Sequence, residues 1–543
     1  MIKRFSLLTL LLLAVSAVAA PLKIGWATVD ASTDKPIFLY GLPRRRVSEG
    51  LRDPITITSL AIDNGEDCVI FSSWDTCVVT GLVVIEVRKR IAALAPDVPL
   101  EKIIFNAIHT HTGPAFGNGY HDPVSMEYRK FFVEKAAEAV IKAWRARKPG
   151  KIGYGYDFAV TCFSRRPVYF DDLSKRPLSK GGVRIPGYSF DKHAKLHGNS
   201  NDPQFSHMEA APDPFVNFLF TYDMNDKLTG IIFNIAFPTQ VSAAKDTKLG
   251  SDCWSDVRRE LKKEFGDIYL LPQCAAAGDL TYKMPYYYAA RERKHQVRFG
   301  RPEAFDGEFE RVRCTEQMMA ALHRTLPWAS KELFDDLPMR HVTEVVHLNR
   351  FTPKPEEVAE AKANLKKLRE MRKNPPWTDP AQLKLGLFRI DKAIDNCKRI
   401  LQCDYEIRML NRTTLPSEFH VLRIGDIAFV SERYELYTDY GQRIQARSPF
   451  TQTFTIQICA GLFYNLGNAA GYLPTARAVP NGGYQANPVN NDNAPSPEGG
   501  QQMVDEAVRL LYELKGEPEP PCPAYAQPVP RAKTTPLTGE DLK

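Results

Sequence analysis

The sequence predicts an α/β (α+β) fold, with mixed sheets flanked by helices in one large body and a helical hairpin inserted into it. Three observations predict this. Short apolar runs alternate with amphipathic helical patterns over most of the 543 residues, which argues against an all-β sandwich. Hydrophobic residues make up 44% and charged residues 25%, which excludes wholesale disorder, collagen and coiled coil. Residues 355–401 carry a helical period broken once, at Asn374-Pro375-Pro376, which is the pattern of two antiparallel helices.

From the start of the chain, Lys3 and Arg4 precede an apolar run from Leu7 to Val15 and small residues at Ala17 and Ala19. This is the layout of a secretory signal peptide, residues 1–19, with cleavage after Ala19. The run is shorter than the ~20 residues a spanning helix needs, and no other stretch approaches that length, so no transmembrane segment is expected after cleavage. Localisation is therefore expected to be secreted or periplasmic.

Strand-like runs follow at 22–28, 55–62, 68–72, 103–108, 215–222, 230–236, 269–271, 421–424, 427–430 and 454–459. Helical patterns cover 79–94, 254–265, 308–326 and 501–514, and Asp122-Pro123 caps another that runs to about 147. In the hairpin, Val358, Ala361, Leu365, Leu368 and Met371 share one face of the first helix. Leu383, Leu387, Ile390, Ile394, Cys397 and Leu401 repeat at alternating spacings of four and three in the second. The tail 516–543, with seven prolines from Glu517 onward, has no periodicity and reads as extended and mobile.

Net charge is +7, falling to +5 without Lys3 and Arg4, and it is spread along the chain, so nucleic acid is not an expected partner. The ten cysteines contain no C-x-x-C pair, which argues against cysteine-ligated zinc. An oxidising compartment permits disulfides, but a chain this large does not require them.

The most informative stretch is Ile103-Ile104-Phe105-Asn106-Ala107-Ile108-His109-Thr110-His111-Thr112-Gly113-Pro114, an apolar strand that ends in His-x-His and breaks at Gly-Pro. Sites in α/β proteins form at the carboxyl ends of strands. Two histidines at i and i+2 on extended backbone project to the same side, so they can serve one metal, or one metal and one proton.

His109-Thr110-His111-Thr112-Gly113-Pro114 resembles the HTHSGP signature of the neutral, alkaline, non-lysosomal ceramidases, zinc-dependent hydrolases that cleave the N-acyl bond of ceramide. Further likenesses follow in order: Ser164-Arg165-Arg166-Pro167 to Asn-Arg-Ser-Pro, Gly278-Asp279-Leu280-Thr281 to Gly-Asp-Val-Ser, Tyr434-Glu435-Leu436 to a Pro-Gly-Glu loop, and Ala470-Gly471-Tyr472 to Ala-Gly-Tyr. The resemblance spans about 22–515, implying a catalytic domain over 20–515 with the hairpin 355–401 inserted.

It implies Zn2+ as cofactor, with His109, Glu435 and Tyr472 as ligands. It also implies His111 as a proton-handling group and Arg165 and Tyr484 as oxyanion stabilisers, with Thr281 standing for the family's serine and positioning water or substrate through its hydroxyl. The implied reaction is attack of a zinc-activated water on an N-acyl amide bond of a small or lipid-like substrate.

Two departures qualify the transfer. The family's second histidine ligand has no counterpart in Asn234-Ile235-Ala236-Phe237-Pro238-Thr239-Gln240, and the serine is Thr281. His207, in the polar loop before the next strand, is the candidate replacement. Asp252 is a second candidate, with helix capping as its alternative role, whereas His193 and His197 read as a solvated loop. The family's additional C-terminal β-sandwich is not matched here, so ceramide itself does not follow. The alternatives are a secreted binding protein that kept the scaffold and lost the metal, or an ester hydrolase using a harder divalent ion.

Overall fold

The computed structural model describes residues 21–42, 45–117, 119–178, 182–242, 246–300, 307–459, 471–487, 495–521 and 529–542. The predicted signal peptide and Ala470 of the Ala-Gly-Tyr match lie outside them.

Three sheets carry the fold. The first runs in the order Ile103–Ala107, Cys68–Trp74, Thr56–Asp63, Lys23–Asp30, Lys148–Pro149. The second runs Tyr269–Cys274, Leu228–Ile235, Phe215–Tyr222, Lys151–Phe158. The third runs Gln452–Ile456, Ile427–Ser431, Thr414–Ile424, Met339–Asn349, Lys533–Pro536. The last strand comes from the proline-rich tail, which returns to pair antiparallel with Met339–Asn349. The α/β class expected from the alternating patterns is the one observed.

Each sheet is buried on both faces, because its strands alternate between two apolar sets. Ile57, Ile70 and Phe105 face helices Gly81–Leu94 and Pro123–Arg145. Phe218, Phe220 and Phe233 face Cys253–Phe265 and Glu308–Ala329. Phe419, Val421 and Val430 face Thr438–Arg447 and Gly499–Lys515. The opposite faces meet in a shared core containing Leu60, Phe71 and Ile104 from the first sheet, Leu219, Ile232 and Leu271 from the second, and Leu422, Phe429 and Phe454 from the third. Phe71 and Phe429 touch across it with ring centroids 5.0 Å apart.

Met339–Asn349 and Lys151–Phe158 escape sequence reading because of their composition. The first alternates apolar residues with Arg340, Thr343, Glu344 and His347, and the second is diluted by Gly153 and Gly155. The hairpin consists of helices Pro355–Lys373 and Pro380–Leu410, the second continuing past 401. Leu368, Ile390, Ile394 and Cys397 close a small core there with Ile185. Among the described residues, no helix is long and apolar enough to cross a membrane.

Each sheet contains one parallel pair: Cys68–Trp74 with Ile103–Ala107, Leu228–Ile235 with Tyr269–Cys274, and Ile427–Ser431 with Gln452–Ile456. Their carboxyl ends converge. The Ala107 amide donates to the Ile458 carbonyl (3.4 Å), Gln457 N–H to Cys274 (2.9 Å) and Cys459 N–H to Glu432 (3.0 Å). The loops leaving these ends carry His109, Thr281 and Glu435.

Candidate active site

The strand before the His-x-His ends at Ala107, and His109 adopts φ +60°. The expectation that both imidazoles project from one extended strand is therefore corrected. The chain turns at His109, in a region that non-glycine residues enter at a cost and that concentrates at functional sites. The rings still face each other, with centroids 5.0 Å apart and planes at 74°.

His109 is held in one orientation. Its Nδ1 lies 2.8 Å from the Cys77 carbonyl, which fixes the proton on Nδ1 and leaves Nε2 as the lone-pair nitrogen. Nε2 stands 3.4 Å from Glu435 Oε2. Two donor atoms each ~2.0–2.1 Å from one tetrahedral ion lie about 3.3 Å apart, so this separation suits a shared divalent cation.

Glu435 is placed by its backbone. Glu435–Leu436 pairs in parallel with Tyr472–Leu473, so that Glu435 stands opposite Tyr472, and the Glu435 amide donates to Gly471 (3.1 Å). The two side chains are hydrogen-bonded to each other; burial, and then the Glu435 charge, push the Tyr472 phenol well above its ordinary range. Arg165 is buried against both. Its Nη2 donates to the Tyr472 hydroxyl (3.2 Å) and the Gly278 carbonyl (2.8 Å), and stands 3.9 Å from Glu435 Oε2.

Residues 163–165 reach the site because Phe163–Ser164 pairs with Leu280–Thr281, which sets buried Thr281 opposite Phe163, while the Arg165 amide donates to the Asp279 carbonyl (3.0 Å). Tyr484 is 49% exposed and packs edge-on to Tyr472 at 6.0 Å, at the mouth of the site.

His111 is buried, with no partner for Nδ1 among the described residues. Burial, followed by His109, Arg165 and Arg46, pushes its pKa well below the usual histidine range. Arg46 Nη2 donates to its carbonyl at 2.5 Å.

Sequence reading missed Cys77. It follows the strand Cys68–Trp74, and the parallel pairing of Trp74 with Ala107 is what brings it beside the histidines. The ligand atoms of Cys77, His109 and His111 all lie within 4.8 Å of one another, and this is the one such group among the described residues. The sulfur stands 3.7 Å from Nδ1 of His109, the nitrogen already bonded to a carbonyl. Burial, and then Glu435, push the thiol well above its ordinary range. Cys77 thus lies on the Nδ1 side of His109, while Nε2 faces Glu435.

The structure does not bring His207 into this group. It is exposed on the strand Phe205–Met208, with Nδ1 3.0 Å from the Ser206 hydroxyl. Asp252 occupies the N-cap position of Cys253–Phe265 without a side-chain capping bond; its carboxylate accepts from the Ser242 amide at 2.8 Å. Asp279 accepts from the Thr438 amide (3.0 Å) and hydroxyl (2.6 Å), which ties the turn at Gly278 to the helix after Glu435. His193 and His197 lie in a loop, and the His197 amide donates to the Arg165 carbonyl (2.8 Å).

A Cβ on Gly278 would stand 2.4 Å from the Glu435 carbonyl oxygen, a backbone atom that no rotamer change can move. Gly278→Ala is expected to cost about 1–3 kcal/mol of stability and to displace Glu435 from His109. Denaturant midpoints and metal retention measured side by side check this; an unchanged midpoint would show that the two loops are not in the contact described.

The architecture defines the class: this is the ceramidase fold. The structure aligns with neutral ceramidase from Pseudomonas aeruginosa at a TM-score of 0.58 and 14% identity, covering 96% of this chain and 78% of that one. It aligns equally with a ceramidase complexed with C2, at 0.58 and 16% identity over 92% and 76% of the two chains. No family model and no curated protein matches the sequence.

Proposed function

We propose that this chain is an exported, zinc-dependent hydrolase that cleaves an N-acyl amide bond in a lipid-like substrate. The observation that carries this reading is the 3.4 Å approach of His109 Nε2 to Glu435, with the opposite ring nitrogen anchored on the Cys77 carbonyl. Export is inferred from residues 1–19.

The donors fit zinc. Imidazole nitrogen, carboxylate and phenol oxygen come together from His109, Glu435 and Tyr472, and the buried Nδ1 of His111 stands unpartnered beside them. Where the ceramidases have their second histidine, just before the Pro-Thr pair, this chain has buried Phe237, which offers no ligand atom, so no ligand comes from that position. When bound, the ion supplies Lewis-acid polarisation of the amide carbonyl and a nucleophile at neutral pH.

The chain's own residues do the rest. His111, neutral and buried, accepts a proton from the attacking water and returns it to the leaving nitrogen. Arg165, held on the Gly278 carbonyl and the Tyr472 hydroxyl, presents fixed positive charge to the developing oxyanion, with Tyr484 at the mouth as a second donor. Thr281 orients the substrate through its hydroxyl.

Elemental analysis of the mature chain, residues 20–543, after dialysis against metal-free buffer is expected to find one zinc per chain. Absence of retained zinc, also after zinc has been offered, would overturn the metal reading. Failure to turn over fluorogenic N-acyl amides with zinc in place would overturn the amide reading alone.

A further inference from the structure

The strand Leu280–Thr281 leads straight out of the candidate site into a basic, tyrosine-rich lip. Thr281 Oγ1 accepts from the Lys283 amide (3.5 Å), and Tyr286 packs edge-on to Phe163, two residues before Arg165, with centroids 6.3 Å apart. Three consecutive tyrosines, Tyr286, Tyr287 and Tyr288, are 43%, 72% and 38% exposed. The helix Tyr288–Phe299 that follows is fixed to the body by a narrow stripe: the ring of His295 lies 4.9 Å, and that of Phe299 4.2 Å, from Phe309.

Everything opposite that stripe faces outward. Arg293 and Val297, at i and i+4, lie on the far side of the helix, with Val297 73% exposed. From Tyr282 to Phe299 the chain carries Lys283, Arg291, Arg293, Lys294 and Arg298 against one acid, Glu292. Arg298 is paired with Glu316, whereas Lys283, Arg293 and Lys294 form no ion pair among the described residues.

We propose that this lip is an interfacial docking surface for an anionic lipid bilayer, seated so that a lipid-like amide passes from the membrane into the site. The inference builds on the lipid-like substrate of the preceding section. Uncompensated cations attract the anionic headgroup layer, while tyrosines and an aliphatic tip insert at the boundary between headgroups and chains. A second copy apposed through the same face would bring like charges together. The exposed valine gives nothing to a phosphate backbone.

The mature chain is expected to co-sediment with phosphatidylcholine vesicles containing about one third phosphatidylglycerol, more weakly as salt rises, and not with phosphatidylcholine alone. Arg293→Glu with Lys294→Glu is expected to weaken that association at least about tenfold while leaving the thermal midpoint and the turnover of a short, water-soluble N-acyl amide unchanged. Val297→Asp, which adds one charge at the tip, is expected to weaken it as well. Equal binding by the double variant, or no binding to anionic vesicles, overturns the proposal. So does a dimer or an oligonucleotide complex that the same double variant abolishes, which would assign the lip to a second copy or to nucleic acid. Vesicle binding is read without hydrolysis, so a chain that binds vesicles but cleaves no amide would refute the reaction and leave the surface standing.

Discussion

Glu435→Gln and His109→Ala are each expected to abolish bound zinc and to lower amide hydrolysis by at least about 10³-fold, the scale on which the loss of one preorganised electrostatic contact is felt in hydrolytic sites. Glutamine keeps the shape of Glu435 and its strand pairing with Tyr472 but removes the charge that faces His109 Nε2 and Arg165. Folding should survive, because the loop is held by main-chain bonds from Glu435 to Gly471 and from Gly278 to Leu436. Cys77→Ser is the contrasting variant. Its sulfur stands against the nitrogen of His109 that is already bonded, so metal content should persist, with at most a modest loss from reorientation of the ring. Parallel metal analysis and kinetics of the three variants check this. Zinc lost in Cys77→Ser and kept in Glu435→Gln would move the metal to the other side of the imidazole.

Arg88→Met is expected to destabilise the protein by about 3–5 kcal/mol at pH 7.5, because it leaves a carboxylate unpaired in the interior. Arg88 and Glu418 each have side chains about 1% exposed and join in a two-point contact at 2.5 and 2.8 Å. His420 Nε2 lies 2.8 Å from the same carboxylate, and His341 Nε2 lies 3.0 Å from His420 Nδ1. Burial alone would raise the Glu418 pKa, but the charge and hydrogen bonds of Arg88, with His420, bring it down to about 2. Burial holds His420 below the histidine range and His341 well below it.

All three groups therefore bind protons more readily unfolded than folded. Their contribution is complete above about pH 6.5, is lost first as the histidines of the unfolded chain protonate, and then falls further from about pH 4.3 toward 2. Without Arg88, protonation of Glu418 relieves its burial, so the deficit of the variant should shrink as pH falls from 7.5 to 4.5. A deficit independent of pH would show that lost packing, and not the carboxylate, dominates. Adding Glu418→Gln should restore part of the stability at pH 7.5.

The sequence by itself determined what is local. The run 103–108 reads as a strand because it is apolar but for Asn106, and His109 and His111 follow within four residues of its end. The hairpin is legible because its period spans many turns and one Pro-Pro break. Arg165, Thr281, Glu435 and Tyr472 are legible only through short likenesses, since nothing in the composition around a lone arginine or tyrosine marks it. His207 reads in the sequence as part of a polar loop just before a strand, and sequence order does not set distance in space.

The tertiary structure decided what depends on pairing between distant segments. Cys77 meets His109 through the parallel register of Trp74 with Ala107, Glu435 meets Tyr472 through a two-residue parallel bridge, and Arg165 meets both because Ser164 pairs with Leu280. None of these registers leaves a periodic trace in the chain, because each joins residues a few positions long at strand ends, where turn geometry outweighs propensity. The left-handed turn at His109 is of the same kind: its cost is met by the surrounding contacts and not by the residue itself.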